Sequence, residues 1–471
     1  MNKRFLAAAF ALAFAGAAEA TVITPVNMDP AGSGLNDSTP AEPVGGNPGT
    51  TIGEQRMRVY QFAADLWETV LDSPVETRVQ ASFIPLNCNA TSATLGAAGT
   101  QYVFANFGNG VSNTWYGNAL ANALAGEDLS PAINEEDNGN EIISFFNSNL
   151  GQSNCLASSG WYYGLDGNTP AGQVSFLDVV MHEIAHGLNF SGFYDLSTGA
   201  PFSEQDGSNA FPDIYSRNVF DNASNMAWVN MTNAQRVSAA KGGKLVWTGT
   251  NVTAGAPAEL DGVVTLAVIG NRPASYSIVT AGYGPLATPE SFTAGRLVYG
   301  TDPTGGTHLG CQAFPAGAFT GKTVLLDRGT CSFKTKTLNA QNAGADQVII
   351  ANNVSNGFPG MGDDAAVVAT IEIPSVGITK ASGLALRKAL AIGISVALQE
   401  SATQLSGADA AGRVSLYAPS TLALGSTFSH FDVSLAPNAL MEPFINDDLD
   451  AATDLDLTPA LFKDLGWTLQ P

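Results

Sequence analysis

Two of the four histidines in this chain stand four residues apart, in the run Met-His-Glu-Ile-Ala-His over 181–186. On a helix, residues four apart project from one face about one turn from each other. His182 and His186 can therefore each direct a ring nitrogen at a single tetrahedral zinc ion. Glu183 is placed beside the first of them, where it can act as a general base toward a water activated by that ion. Such a set hydrolyses peptide bonds. A catalytic zinc takes three protein ligands and keeps one position open. His430, His308, Glu204 and the nearer Asp195 are the candidates for the third.

The pair needs a helix, and residues 175–188 predict one. Ser175 can cap it, with Asp178 three residues on in the manner of a capping box. Leu177, Val180, Met181, Ile184 and Leu188 give it an apolar stripe. Helical spacing recurs over 53–73, 231–241 and the closing TPALFKDLGW. Alternation predicts strands over 74–86 and 141–151, and the second of these is expected to be an edge to which a substrate adds as a further strand. Beyond about residue 255 short strand-like runs alternate with helical patterns, which implies a second unit with its own core.

The segment GSTFSHFDVSLAPNALMEPFINDD (425–448) resembles the leishmanolysin-like metzincins. In that family an HExxHxLxF helix is separated by an insertion from a serine–histidine–aromatic–acid segment, a methionine turn and a final aspartate–leucine–glycine–aromatic helix. The counterparts here are His182 to Phe190, Ser429 to Asp432, Met441, and Asp464 to Trp467. The resemblance spans most of 50–250 and 408–471. It implies that His430 completes the zinc set with Met441 beneath it, a soft thioether being a good packing floor. The shorter metzincin pattern fails, because Asn189 and Gly192 stand where its glycine and third histidine would be. The lead-in carries no cysteine that could cap the metal, so the family's latency switch has no counterpart.

Between the two halves, GKTVLLDRGTCSFKTKTLNAQNAGADQVIIANN and ATIEIPSVGIT resemble a protease-associated (PA) domain over roughly 275–400. That resemblance implies a small β-rich insert with Cys311–Cys331 as its internal disulfide, serving substrate capture, protein docking or shielding. His308 falls within it and is expected to be a surface side chain.

The expected fold class is α+β: a metzincin-like zinc protease domain interrupted by a PA domain. The expected divisions are a signal peptide over 1–20, an extended lead-in over 21–50, catalytic segments over 51–254 and 406–471, and an insert over 255–405. The start, MNKRFLAAAFALAFAGAAEA, has the basic, apolar and small-residue regions of a secretory signal. No later apolar run reaches membrane-spanning length, so no membrane anchor is expected and the protein should be secreted. Four cysteines in an exported chain favour disulfides; sequence proximity pairs Cys311 with Cys331 and so Cys88 with Cys155. The net charge of −22 argues against a nucleic-acid partner. The acidic run 446–456 lacks EF-hand spacing, so a solvated loop is expected there rather than a Ca2+ site. The function expected is that of a secreted zinc metalloendopeptidase acting on protein or peptide substrates. The alternative is an inactive metzincin-like protein that binds partners through its PA domain.

Overall fold

A computed structural model describes residues 21–130, 139–270, 272–446 and 449–471. The signal segment 1–20 lies outside the described residues. The chain forms two compact units, one of residues up to Leu260 together with Gly407–Pro471, the other of Asp261–Ser406. The architecture is mixed α+β.

The first unit is built on a four-stranded sheet of β1 (Ile23–Asn27), β2 (Thr77–Ile84), β3 (Gly96–Thr100) and β4 (Ile142–Asn147). Its spatial order is β1-β2-β4-β3, with β3 antiparallel to β4 and the other pairings parallel. Residues 21–50 thus contribute a strand to this sheet. The expectation for 141–151 is corrected here: β4 is bonded on both sides, and the edges are β1 and β3. Alternation reports which faces are covered, not which strand is outermost. Edge strand β3 reads Gly-Ala-Ala-Gly-Thr, a sequence with little strand propensity of its own.

Against this sheet lie α1 (Ile52–Glu68) and α3 (Phe176–Gly187), with α2 (Asn118–Ala125) between them in sequence. Ser175 caps α3, its hydroxyl accepting the Asp178 amide at 3.2 Å. The Asp178 carboxylate also accepts the Ala451 amide at 3.0 Å. Nearly all of α3 is buried, so its apolar residues face every direction rather than one stripe. Phe176 packs on Phe146, Phe83 and Trp161 with ring centroids 5.0–5.3 Å apart. Trp67 of α1 donates its indole N–H to the Met181 carbonyl at 3.2 Å. At Gly187 a Cβ would lie 2.2 Å from the Ile142 side chain, so glycine is what lets the helix end close on β4. Short helices α4 (Asn233–Ala239) and α5 (Thr250–Glu259) follow, and the Cys88–Cys155 disulfide joins two loops of this unit.

The second unit carries an eight-stranded sheet. Its strands are β5 (Gly262–Ile269), β6 (Ala274–Ser277), β7 (Val279–Thr280), β8 (Gly295–Tyr299), β9 (Lys322–Asp327), β10 (Gln347–Ala351), β11 (Ser375–Ile378) and β12 (Ser395–Leu405). The order is β6-β5-β12-β8-β9-β10-β11-β7, parallel from β8 through β11. Helix α6 (Phe333–Asn342) makes the crossover from β9 to β10, and α7 (Lys380–Ala389) leads from β11 back to β12, which runs antiparallel to β8. Apolar clusters built on Leu325, Ile349 and Val376, and on Val324, Val348 and Ile350, cover its two faces. Cys311 and Cys331 are bonded within this unit. The chain then returns to the first unit and ends in α8 (Thr458–Leu465).

Candidate metal centre

Helix α3 sets His182 and His186 one turn apart, and a loop 244 positions further on brings His430 to them. The three Nε2 atoms form a near-equilateral triangle with sides of 3.1, 3.1 and 3.2 Å. Each Nδ1 meets a backbone carbonyl: His182 that of Leu440 at 2.7 Å, His186 that of Phe190 at 2.8 Å, and His430 that of Ser426 at 2.7 Å. A carbonyl only accepts, so each Nδ1 carries the hydrogen and each Nε2 presents a lone pair. Three lone pairs face one another, with no proton to share between them.

Burial makes protonation a costly remedy. It lowers His182 to about 4 and His186 to about 3, the latter helped by the neighbouring His182; His430 is held well below the ordinary imidazole range by burial and then by both other rings. What relieves such a set is a cation bound at its centre. Zinc–nitrogen bonds of about 2.0–2.1 Å in tetrahedral geometry separate the nitrogens by about 3.3 Å, close to the triangle observed. The donor set therefore fits a zinc ion. Among the described residues, it is also the only cluster of three or more potential metal-binding side chains.

Glu183 is 6% exposed and sits against the edge strand. Burial raises its carboxyl to about 8, while a hydrogen bond from the Ala98 amide acts in the opposite sense. A Cβ on Gly96 would lie 2.6 Å from Glu183 Oε1, so the strand can approach the carboxylate only because that position is glycine. Met441 is fully buried, one residue past the carbonyl that holds His182, and its own carbonyl accepts the Phe431 amide at 2.8 Å.

None of the other ligand candidates belongs to this cluster. Glu204 is exposed, bonded to Asn209 and Ser208, and lines a cleft of 990 Å³ that begins where β3 ends. Asp195 bonds to the hydroxyl and amide of Ser197 at 2.6 and 2.8 Å, contacts that hold its carboxyl down at about 2. His308 belongs to the second unit; rather than lying free on the surface it is half-buried and stacked on Tyr299 with ring centroids 3.6 Å apart.

The acidic run is not the solvated loop expected. Asp447 and Asp448 lie outside the described residues, and of the others only Thr453 and Asp454 are exposed. Ala451 is tied to Asp178 of α3, and Asp456 accepts the Leu440 amide at 2.5 Å. Asp456 is the functional candidate that sequence reasoning missed. Composition reads a charge run as solvent-facing, and only the fold shows that one carboxylate turns inward.

The PA domain family matches residues 293–386. Among curated proteins, vacuolar-sorting receptor 5 of Arabidopsis thaliana is 31% identical over 112 residues, covering 23% of this chain and 18% of that protein. Vacuolar-sorting receptor 3 of the same plant is 40% identical over 76 residues, covering 15% and 12%. Signal peptide peptidase-like 5 of Oryza sativa subsp. japonica is 30% identical over 134 residues, covering 28% and 24%. The chain thus spans a quarter or less of the length of these relatives. Among solved structures, a zinc aminopeptidase from Bacillus subtilis is 22% identical over 32% of this chain and 35% of its own, with a TM-score of 0.22. An aminopeptidase from Aneurinibacillus sp. strain AM-1 is 28% identical over 30% of each chain, also at 0.22. Likenesses of that extent say nothing about the histidine site. Residues 293–386 are a PA domain, carried within the second unit.

Proposed function

We propose that this chain is a secreted zinc metalloendopeptidase of the leishmanolysin-like metzincin type, with His182, His186 and His430 as the metal ligands and Glu183 as the general base. The observation that carries the reading is the triangle of three Nε2 lone pairs 3.1–3.2 Å apart, with every Nδ1 committed to a carbonyl. When bound, zinc supplies a Lewis acid that polarises a peptide carbonyl and acidifies water. Glu183, next in the chain to a ligand and walled in by Gly96, is positioned to take a proton from the attacking water and deliver it to the leaving amine. An extended substrate would pair with the outer edge of β3, whose backbone runs beside that carboxylate. Met441 closes the floor of the site as a packed apolar side chain. The PA domain is assigned to holding substrate or a protein partner.

Secretion accords with both disulfides being formed. Among the described residues no helix is long and apolar enough to cross a membrane.

The deciding experiment replaces Glu183 by Gln. The variant should keep one zinc per chain and lose internal cleavage of an unfolded protein by about 100-fold or more. The parent activity should also disappear with a chelator and return with zinc. Undiminished cleavage by Glu183→Gln would end this mechanism.

A further inference from the structure

His182 differs from the other two histidines in how its ring is held. His186 and His430 each donate to a carbonyl four residues away in the chain, so local backbone sets their orientation. The carbonyl that receives His182 belongs to Leu440, 258 positions away. Its tautomer and its aim therefore depend on tertiary docking of the Leu440 segment against α3.

Two carboxylates hold that segment. Glu442 Oε1 accepts the Ala439 amide at 3.2 Å, and Asp456 Oδ2 accepts the amide of Leu440 itself at 2.5 Å. The other oxygen of Asp456 accepts the amide and hydroxyl of Thr458, both at 3.1 Å, which ties the same side chain to the first turn of α8. Asp456 adopts a left-handed φ of +45°, a region that aspartate enters more readily than most residues. Burial pushes its carboxyl up to about 7. A helix start does not need that burial, since a solvated Ser or Asp caps a helix well.

We propose that Asp456 is a positioning residue for the metal centre: by fixing the Leu440 backbone it holds His182 with Nδ1 protonated and Nε2 turned toward the ion. The proposal rests on the zinc-site reading given above. Groups that orient a ligating histidine from behind typically govern metal affinity by about 10–100-fold.

The test is zinc affinity, read by competition with a fluorescent chelator on the full chain, with near-UV circular dichroism of the zinc-free protein as a check of folding. Asp456→Asn keeps the size of the side chain but cannot serve Leu440 and Thr458 with two acceptor oxygens, and Asp456→Ala serves neither. Zinc affinity should fall about tenfold or more in each, whereas Thr458→Ala, which removes only a helix-side contact, should bind zinc like the parent. In a His182→Ala background, Asp456→Asn should weaken binding no further, because the two changes disable the same ligand. A folded Asp456→Asn protein with affinity within twofold of the parent overturns the proposal. So does a failure of both Asp456 variants to fold, which would assign the residue to the fold alone. A parent that binds no zinc overturns the metal-site reading and this inference together, an outcome distinct from either.

Discussion

Gly192 occupies the place where the shorter metzincin pattern would carry its third histidine, and its surroundings explain the change. A Cβ there would lie 2.4 Å from the Phe428 ring, and the Gly192 amide donates to Ser429 Oγ at 3.2 Å. The position is filled by the segment that delivers His430. Phe428 itself takes a positive φ of 79°, a strained state for a bulky residue, held by Trp228 at 4.5 Å and by the Tyr215 hydroxyl on its carbonyl. Asn189, read from sequence as a departure that could alter the turn, has φ +86° and uses its side-chain oxygen to accept the Gly117 amide at 2.6 Å. Asparagine tolerates that backbone better than most residues and adds a tether glycine lacks. Residue types made the histidine pair and its neighbouring glutamate legible as a candidate set; the packing that excludes a histidine at 192 has no local signature. Gly96 carries the prediction at this scale. Gly96→Ala should retain zinc while lowering turnover of the proposed peptidase by about 100-fold, since a shift of about 1 Å in a catalytic group has that effect. Metal content and kcat measured side by side check it, and an unchanged kcat would remove Gly96 from the account.

Among the elements, α3 was legible because cap, stripe and motif all pointed to one helix. The edge strand was not. Its Gly-Ala-Ala-Gly run carries no strand signal, and the smallness that hides it is what admits the Glu183 carboxylate. The closing helix was visible as a pattern whose purpose the structure supplies. Asp464 of α8 accepts the amides of Asn251 and Val252 and the Trp247 indole at 2.8–3.1 Å, capping α5 from another element. Trp467 donates to the Leu188 carbonyl at the end of α3. A pH effect belongs to this scale too. Glu141, at the start of β4, is 2% exposed; its carboxylate accepts the Arg78 amide at 2.7 Å and the Asn122 side chain at 3.3 Å. Burial raises its carboxyl to about 7 from 4.5. Between those values the folded chain holds a proton that the unfolded chain has released, so this group's contribution to stability is lost as pH rises from about 4.5 through 7. Glutamine does not titrate. The stability of the parent relative to Glu141→Gln should therefore fall by up to about 3 kcal/mol over that range. Denaturant titrations of both proteins at pH 5 and 7.5 measure it, and a difference that does not move with pH contradicts the burial argument.

At the scale of the molecule, the insert could be read from sequence because its Asp327–Phe333 run and strand–helix alternation are contiguous. The approach of His430 across it could be read only through family resemblance, because residue types carry no distances. The strand pairing gives a physical basis for an insertion between the elements that carry the histidine cluster. The insert begins in β5 and ends in β12, and these strands are antiparallel neighbours paired from Gly262↔Leu405 to Ile269↔Ser395. Just outside that pairing, the Ser406 amide donates to the Asp261 carbonyl at 2.9 Å. Chain entry and exit are thus about 5 Å apart, as in any antiparallel pair, so the first unit experiences the insert as a short loop. The closure entropy of a long connection grows only slowly with length, and here the insert's own sheet holds its ends together. Replacing 262–405 by a Gly-Ser-Gly linker should then leave the first unit folded, with Cys88–Cys155 formed and one zinc bound per chain. Excised residues 261–406 should unfold cooperatively on their own, given their separate core and the Cys311–Cys331 bond. Metal content and near-UV circular dichroism of the deletion protein, with calorimetry of the excised piece, test both halves. A deletion protein that folds without binding zinc would mean that the first unit by itself does not hold the three histidines in place.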